Sequence, residues 1–337
     1  MALRLAIVPV FAVLVFAAGT ASRAAAPVEG DAELLQSLFA AQRANAASLA
    51  RGRVRATATV RESSSGQEME RAEATVLWDG PNTYWDYSRE YPGLKVDGKP
   101  TQREDRGVAI ETPETFILYH SESSRVFVNP SKTGSYHQIL RLRPDQIWLV
   151  HGRHIDLNPI SWAELLDPES TRSATLPHKY VVRREGEIAT VELHYEGREV
   201  FTVNAALAHG GHIVSYDTET VVAKRLIWKT GKYEWERHPS GVYWLRRYEM
   251  TYSDPKGSPY GKYHYLLEVS DFDPDPDIPK NRFELESLDL PDGTRVTEDR
   301  GKGQRRQYRI GGEGIFENDL DRLADEARRA RFASPDR

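Results

Sequence analysis

One stretch near the start of the chain has hydrophobic residues at helical spacing, and much of the remainder alternates with a period of two. Between residues 31 and 52 an apolar stripe follows the helical period, with Gln42 as its one polar interruption. Asp31 can cap this helix by accepting a hydrogen bond from a first-turn N–H group, and Gly52 ends it. The apolar members of the stripe are Leu35, Leu38, Phe39, Ala46 and Leu49.

Alternation of apolar and polar residues then predicts a series of β-strands. Val54, Ala56, Ala58 and Val60 alternate with polar residues, which is typical of a strand with one buried face. Further strands are predicted at 72–78, 83–87, 114–119, 180–184, 188–195, 199–203, 212–216, 224–229, 242–252 and 262–269. Because no long helices alternate with these strands, we expect an α+β fold that is mainly antiparallel β: a sandwich, a barrel or a curved sheet.

A helical insert rich in bulky apolar residues is predicted between about residues 140 and 170. Ser161 and Glu164 match a capping box, in which the two side chains satisfy each other's backbone N–H groups. Residues 144–150, which include Trp148, predict a further helical turn. The aspartates and prolines of 271–279 are interpreted as a stiff acidic connector.

The first residues have the pattern of a secretory signal peptide. Arg4, an apolar run over 5–18 and small residues up to 26 follow the expected order of charged tip, apolar core and cleavage region. The apolar run is shorter than the roughly 20 residues that span a bilayer, so a membrane anchor is the weaker reading. We therefore expect a soluble protein, periplasmic or secreted, without a stable membrane anchor.

The expected domain organisation has three parts. Residues 1–26 form the signal peptide, residues 27–300 the folded domain and residues 301–337 a charged tail with an amphipathic helix. The chain has no cysteine, which excludes disulfides, zinc–thiolate sites and thiol catalysis. Its formal net charge of −5 argues against a nucleic-acid partner, which would require a basic surface.

No catalytic or metal-binding motif emerges from the sequence. Residues 151–154 and 209–212 each hold two histidines around glycine, without the glutamate of a zinc helix. Alternating aspartates over 271–277 suggest calcium, but Ile278 occupies the position where an EF-hand loop requires glycine. We therefore predict no catalytic residue, no metal, no cofactor and no enzymatic activity. A hydrolase whose carboxylates or histidines cannot be paired in the sequence stays an alternative.

Aromatic residues are concentrated on the predicted strands, where alternate positions face the same side of a curved sheet. Such a wall can line an apolar cavity, although aromatic rings also fill ordinary protein cores. With a helix at the front and a helical insert in the middle, we predict a cavity under a lid. The predicted ligand-binding residues are Trp78, Trp85, Tyr87, Phe116 and Trp228 in the wall and Trp148 and Trp162 in the lid.

The order of elements resembles that of the LolA-like periplasmic lipoprotein carriers. Those proteins begin with a helix and a strand, and a Leu-Trp segment then leads through a proline to a second tryptophan, as in residues 76–85 here. They close with a short Phe-rich strand and a Pro-x-Gly-x-x-Val element, which correspond to residues 281–285, with Phe283, and 290–296. The resemblance covers residues 31–300. It implies an unclosed antiparallel β-barrel whose concave hydrophobic side is covered by helices and holds acyl chains.

The chain departs from those carriers in two respects. Gly80 occupies the position before the proline where the carriers have an arginine that controls the lid. Extra sequence lies at about 120–175, at about 230–262 and after 300. The resemblance therefore implies the fold more than the cargo.

The predicted function is an exported binding or carrier protein for a lipid, a lipoprotein acyl chain or another amphipathic ligand. Its expected partners are a lipid or an acylated protein, with an envelope protein as a further candidate. The alternative is a cell-envelope module of the same fold that binds another protein or senses stress and has no transport role. Bound lipid in the purified protein would distinguish the two.

Overall fold

The computed structural model describes residues 26–93, 101–130, 146–147, 150–151, 154–155, 160–168, 178–195, 200–222, 225–253, 262–299, 305–311 and 315–317. The predicted signal peptide up to residue 25, Trp148 and the predicted helix of the tail lie outside these ranges. Among the described residues, none of the helices combines the length and the apolar character needed to cross a membrane.

Strands dominate the described part of the chain. They are β1 Val28–Gly30, β2 Arg51–Glu62, β3 Glu68–Asp79, β4 Asn82–Pro92, β5 Gln102–Glu111, β6 Thr115–His120, β7 Arg125–Pro130, β8 Gln146–Ile147, β9 Val150–His151, β10 His154–Ile155, β11 Ile160–Ser161, β12 Lys179–Glu185, β13 Ile188–His194, β14 Val200–Ala206, β15 His212–Val222, β16 Arg225–Arg237, β17 Tyr243–Ser253, β18 Lys262–Asp273, β19 Arg295–Asp299, β20 Arg305–Arg309 and β21 Ile315–Glu317. The helices are α1 Ala32–Ser48 and α2 Trp162–Leu166, with 3₁₀ turns at Leu207–His209 and Leu285–Ser287.

Seventeen of the described strands form one curved sheet in the order β1-β12-β13-β14-β15-β16-β17-β18-β2-β3-β4-β5-β6-β7-β19-β20-β21. All neighbours are antiparallel except β1–β12 and β7–β19, which are parallel. Among the described residues the two edges, β1 and β21, do not pair, so the sheet is not closed into a barrel. The expectation of a mainly antiparallel, unclosed curved sheet is confirmed.

The sheet has two different faces because successive side chains of a strand point to opposite sides. Register places Val54, Tyr87, Trp85, Tyr233 and Leu267 on one side, which we call the inner face. This side carries two apolar clusters of buried residues. Both α-helices pack into the second cluster, and Leu49, just after α1, packs into the first. The opposite side is called the outer face.

Helix α1 begins and docks as its sequence predicts. The Asp31 carboxylate accepts a hydrogen bond from the Leu34 N–H group at 2.9 Å, which caps the first turn. Leu35 and Leu38 are fully buried against the sheet. The polar interruption of the stripe, Gln42, is buried because its side-chain amide donates to the Gly211 carbonyl oxygen.

The structure corrects the expected cover of helices. The described residues contain α1 and the five-residue α2, and much of the inner face is lined by side chains of the sheet itself. Helix α2 lies where the capping-box pattern predicts it. The helical turn predicted at 144–150 is wrong in its described residues, because Gln146–Ile147 and Val150–His151 are strands. A short apolar run fits either structure, since it shows no periodicity.

The segment after β18 crosses to the outer face. There Leu288 and Val296 pack with Tyr84, Ile110 and Val126 in a third apolar cluster. β19 then lies parallel to β7, and β20 and β21 extend the sheet beyond residue 300. The predicted closing strand at 281–285 is wrong, because these residues form turns; the half-buried Phe283 packs against this cluster.

The predicted acidic connector belongs partly to the sheet. Asp271 and Asp273 lie in β18, next to Arg53 of β2, whose Nη2 atom is 3.8 Å and 3.4 Å from their carboxylates. The Arg51 Nη1 atom lies 3.4 Å from the Asp275 carboxylate. The alternation of these aspartates is therefore explained by strand geometry and arginine pairing.

Candidate functional site

Four predicted wall residues meet in one apolar cluster on the inner face. Trp78, Trp85, Tyr87 and Phe116 project from β3, β4 and β6, and each is at least nine-tenths buried. The Trp78 indole N–H donates to the Leu49 carbonyl oxygen at 2.6 Å, which fixes the ring under the end of α1. Small side chains separate the rings along the strands: Ala56, Ala58, Ala72, Ala74 and Ala109.

The predicted lid residue Trp162 lies over the other half of the inner face. Its ring centroid is 6.1 Å from Phe201, 6.2 Å from Tyr216 and 6.0 Å from Tyr233. Leu165 and Leu166 of the same helix are fully buried in this second cluster, which also holds Leu35 and Leu38 of α1. Helix α2 therefore brings the described part of the insert onto the inner face.

Tyrosines join the two clusters. The rings of Tyr233 and Tyr248 are stacked, with their centroids 4.7 Å apart, and both rings pack against both clusters. The hydroxyl oxygens of Tyr216 and Tyr248 are 2.7 Å apart. Burial raises the pKa of Tyr216 to about 12 and that of Tyr233 and Tyr248 well above 10.0. These hydroxyls are therefore neutral at physiological pH, and the wall carries dipoles without charge.

Two buried indole N–H groups on this face lack an acceptor among the described residues. They are the Nε1 atoms of Trp85 in the first cluster and Trp162 in the second. A buried donor without a partner is unfavourable by about 1–3 kcal/mol, so each of these atoms is a place where a bound molecule can contribute an oxygen.

A lysine that the sequence analysis missed also lies on the inner face. Lys229 of β16 is only 6% exposed, although lysine is one of the residues least often buried. Burial lowers the pKa of its ammonium group from 10.5 to about 7. The sequence does indicate this position, because Lys229 alternates with Gly231, Tyr233 and Trp235 along β16 and therefore shares their face.

Trp228 does not join the other predicted residues. It precedes Lys229 in β16, so alternation places it on the outer face, half-buried, with the Lys262 Nζ atom 5.2 Å from its ring centroid. The seventh predicted residue, Trp148, lies outside the described residues. The structure thus brings five of the predicted side chains to the inner face.

The histidines lie in two different environments. His151 and His154 are paired across a short hairpin of β9 and β10, and their side chains lie outside the description. His212 is 2% exposed, with its ring 4.5 Å from Trp235 and 4.9 Å from Tyr243. Burial, with a smaller effect of the nearby His209, lowers the pKa of His212 to about 4. Neutral His212 therefore belongs to the packing between α1 and the sheet.

Within the described ranges, histidines, aspartates and glutamates do not gather in a group of three that could hold a metal ion. The inner face instead holds buried apolar and aromatic side chains, neutral hydroxyls, two indole donors without an acceptor among the described residues and one buried lysine. An amphipathic molecule that enters between such side chains can make apolar contacts, which require no fixed geometry, while the polar atoms set its position.

The comparisons find likeness in fold and none in sequence. No protein-family model and no curated protein matches the chain. The structure is similar to that of a LolA superfamily protein from Nitrosomonas europaea, with 12% identity, a TM-score of 0.40, and coverage of 75% of this chain and 99% of the other. It is also similar to a putative outer membrane lipoprotein-sorting protein domain from Vibrio parahaemolyticus, with 8% identity, a TM-score of 0.41, and coverage of 75% and 98%. Solved structures of the superfamily that the sequence resembles are thus among those found, at identities of 12% or less and TM-scores below 0.5.

Proposed function

We propose that this protein is an exported carrier that holds a lipid, a lipoprotein acyl chain or another amphipathic ligand on the inner face of its sheet. The carrier acts in the periplasm or outside the cell, and its task is binding without a catalytic step. The ligand-binding residues are Trp78, Trp85, Tyr87 and Phe116 in one half and Trp162 in the other.

One observation carries the proposal: both halves of a continuous aromatic face hold a buried indole N–H with no acceptor in the described part of the chain. A core that only stabilises the fold pairs most of its buried polar atoms, as Trp78 and Trp235 do with carbonyl oxygens. Trp85 and Trp162 differ from these two, and an ester, amide or carboxyl oxygen of a ligand supplies what they lack.

The apolar part of the ligand has a matching surface. The rings of Tyr87 and Trp85 stand beside Ala74 of β3 and Ala109 of β5, so an alkyl chain bound there meets side chains of different size. Burying apolar surface is favourable by roughly 25 cal/mol per Å², independent of direction, so a chain of varied length can be accepted.

Native mass spectrometry of the purified protein, with organic extraction of the same sample, tests the proposal. We expect adducts with lipid masses, and enhanced emission of a fluorescent fatty acid added to the extracted protein. A protein that purifies without lipid and leaves the fluorescent fatty acid unaffected contradicts the carrier function. That result would favour the alternative, an envelope module that binds another protein.

Two tryptophans provide a matched pair of variants. Trp162→Ala removes a ring from the inner face, and we expect it to weaken binding of the fluorescent fatty acid about tenfold. Trp228→Ala removes a ring from the outer face and should leave the affinity unchanged. Circular dichroism of both variants establishes that the sheet is intact. Equal losses in the two variants would place the ligand elsewhere.

A further inference from the structure

Lys229 is a buried charged group of the inner face that has no counter-ion among the described residues. Its side chain is more than nine-tenths buried, and its Nζ atom lies 5.5 Å from the centroid of the Tyr252 ring. It makes no hydrogen bond or ion pair with any residue that the structure describes, and burial is the cause of its lowered pKa. A lysine in such a place is unfavourable for folding, because a largely buried charge loses much of its hydration and the cation–π contact with Tyr252 offsets only part of that loss.

Carboxylates on the adjacent strands point away from this lysine. Its direct neighbours on the same face are Thr218 of β15 and Tyr252 of β17. Asp217, Glu219 and Glu249 lie one position away in these strands, so alternation places them on the outer face.

The next acidic group on the inner face is distant and already engaged. Glu62 stands opposite Tyr263 in β2, three strands from β16, or roughly 14 Å at the usual strand spacing. It accepts a hydrogen bond from the Ser65 hydroxyl at 2.6 Å. The described residues therefore supply no counter-ion to Lys229.

The lysine lies beside the aromatic wall. Gly231, two residues further along β16, gives room for the Tyr216 ring, which occupies the space where a side chain at 231 would begin. Along β16 the backbone position of Lys229 is about 7 Å from that of Gly231, opposite which Tyr216 stands, and about 14 Å from that of Tyr233, which stands opposite Tyr248. On the β17 side of Lys229, the rings of Tyr252 and Tyr263 are stacked with their centroids 4.7 Å apart.

We infer that Lys229 pairs with the anionic headgroup, a carboxylate or a phosphate, of the amphipathic ligand whose chain lies along the aromatic wall. The inference rests on the proposed carrier function and specifies its ligand class. The ligand replaces the lost hydration of the ammonium group with a charge-assisted hydrogen bond. The headgroup then fixes one end of the ligand while apolar contact holds the rest.

Three ligands with one alkyl chain and different heads test this. Dodecanoic acid, dodecyl phosphate and dodecanol are compared by displacement of a neutral fluorescent alkyl probe from the full-length protein. We expect at least one anion to bind the wild type about tenfold or more tightly than the alcohol. Preference for the acid indicates a fatty-acid carboxylate, and preference for the phosphate indicates a phospholipid headgroup.

Lys229→Met keeps the length and apolar character of the side chain and removes the charge. This variant should bind the three ligands with similar affinity, whereas Lys232→Met, which removes an exposed lysine from the outer face of the same strand, should keep the wild-type preference. Unchanged affinity for the neutral probe shows that Lys229→Met is folded.

The outcomes separate the two proposals. Equal binding of anions and alcohol to the wild type, or a preference that persists in Lys229→Met, overturns the headgroup inference and leaves the carrier function standing. Failure of the wild type to bind the probe and all three ligands overturns both.

Discussion

Buried polar side chains on the inner face divide into those that fix the architecture and those that have no partner in the described part of the chain. Gln42, Trp78 and Trp235 each donate to a backbone carbonyl oxygen, and each links two elements. The indoles of Trp85 and Trp162 belong to the second group. Lys229 lacks a counter-ion among the described residues, and the Tyr252 ring lies beside its ammonium group. Hydrogen bonds of the first group reduce the cost of burying polar atoms, whereas the described residues leave that cost uncompensated in the second group.

His212 makes the stability of the protein sensitive to acid. Burial beside Trp235 and Tyr243 lowers the pKa of His212 from its ordinary value of 6.5 to about 4 in the folded protein. The unfolded chain therefore binds more protons between these two values, and the free energy of unfolding decreases as the pH falls from 6.5 to 4. Full protonation of His212 lowers the free energy of unfolding by about 3 kcal/mol.

Urea unfolding at pH 7.5 and pH 4.5 measures this effect. We expect the difference between the two pH values to be smaller in His212→Gln than in the wild type by about 2 kcal/mol. His178→Gln, which replaces an exposed histidine, should retain the wild-type difference. If His212→Gln loses as much stability in acid as the wild type does, another group causes the acid sensitivity.

The candidate site could be predicted from the sequence where its residues alternate regularly along a strand. Trp85 and Tyr87 stand at alternating positions of β4, so the sequence placed them on one face correctly. Trp228 has the opposite phase from Tyr233 in β16, which the sequence shows only once the length of that strand is known. Lys229 was missed because a lysine in a strand ordinarily faces solvent.

At the scale of elements, α1 connects the two apolar clusters. Leu35 and Leu38 lie in the second cluster, while Leu49, just after the last turn, lies in the first. Asn45 donates to the Gly210 carbonyl oxygen at 3.4 Å and contacts His212 Nδ1 at 3.4 Å. The start of the helix, in contrast, depends on Asp31 for its first turn.

The cap of α1 provides a test at this scale. Asp31→Ala removes the acceptor of the Leu34 N–H group, and we expect the free energy of unfolding to fall by about 1 kcal/mol in urea denaturation. Asp31→Asn keeps an oxygen in the same place and should lose much less. A loss of equal size in both variants would assign the effect to the charge of Asp31 rather than to its hydrogen bond.

Local patterns predicted elements better than they predicted pairings. The helix at 31–52 and most strands were found from their periodicity, whereas β5 was missed because Gln102–Gly107 is polar on both faces. β7 was missed as well, although its apolar residues Val126 and Val128 alternate. The partners of β2 in β18 and of β7 in β19 are distant in sequence, and no local signal specifies such pairings.

At the scale of the whole molecule, the parallel pairing of β19 with β7 ties the C-terminal segment to the N-terminal half of the sheet. Val296 of β19 is fully buried on the outer face with Val126, Ile110 and Ile117. The aromatic wall lies on the other side of the same strands. The two faces therefore separate a stabilising contact from the proposed binding surface.

Val296→Ala tests whether this contact stabilises the whole sheet. The variant should lower the free energy of unfolding by about 2 kcal/mol, because it leaves a cavity in the outer cluster, and should not change the affinity for the fluorescent fatty acid. Circular dichroism and tryptophan fluorescence should report one common urea transition, since the wall tryptophans belong to the same sheet. Thr297→Ala, one position along β19, should change stability by less than about 0.5 kcal/mol. A fluorescence transition that stays at the wild-type midpoint while the circular dichroism transition shifts would show that the outer cluster unfolds independently of the wall.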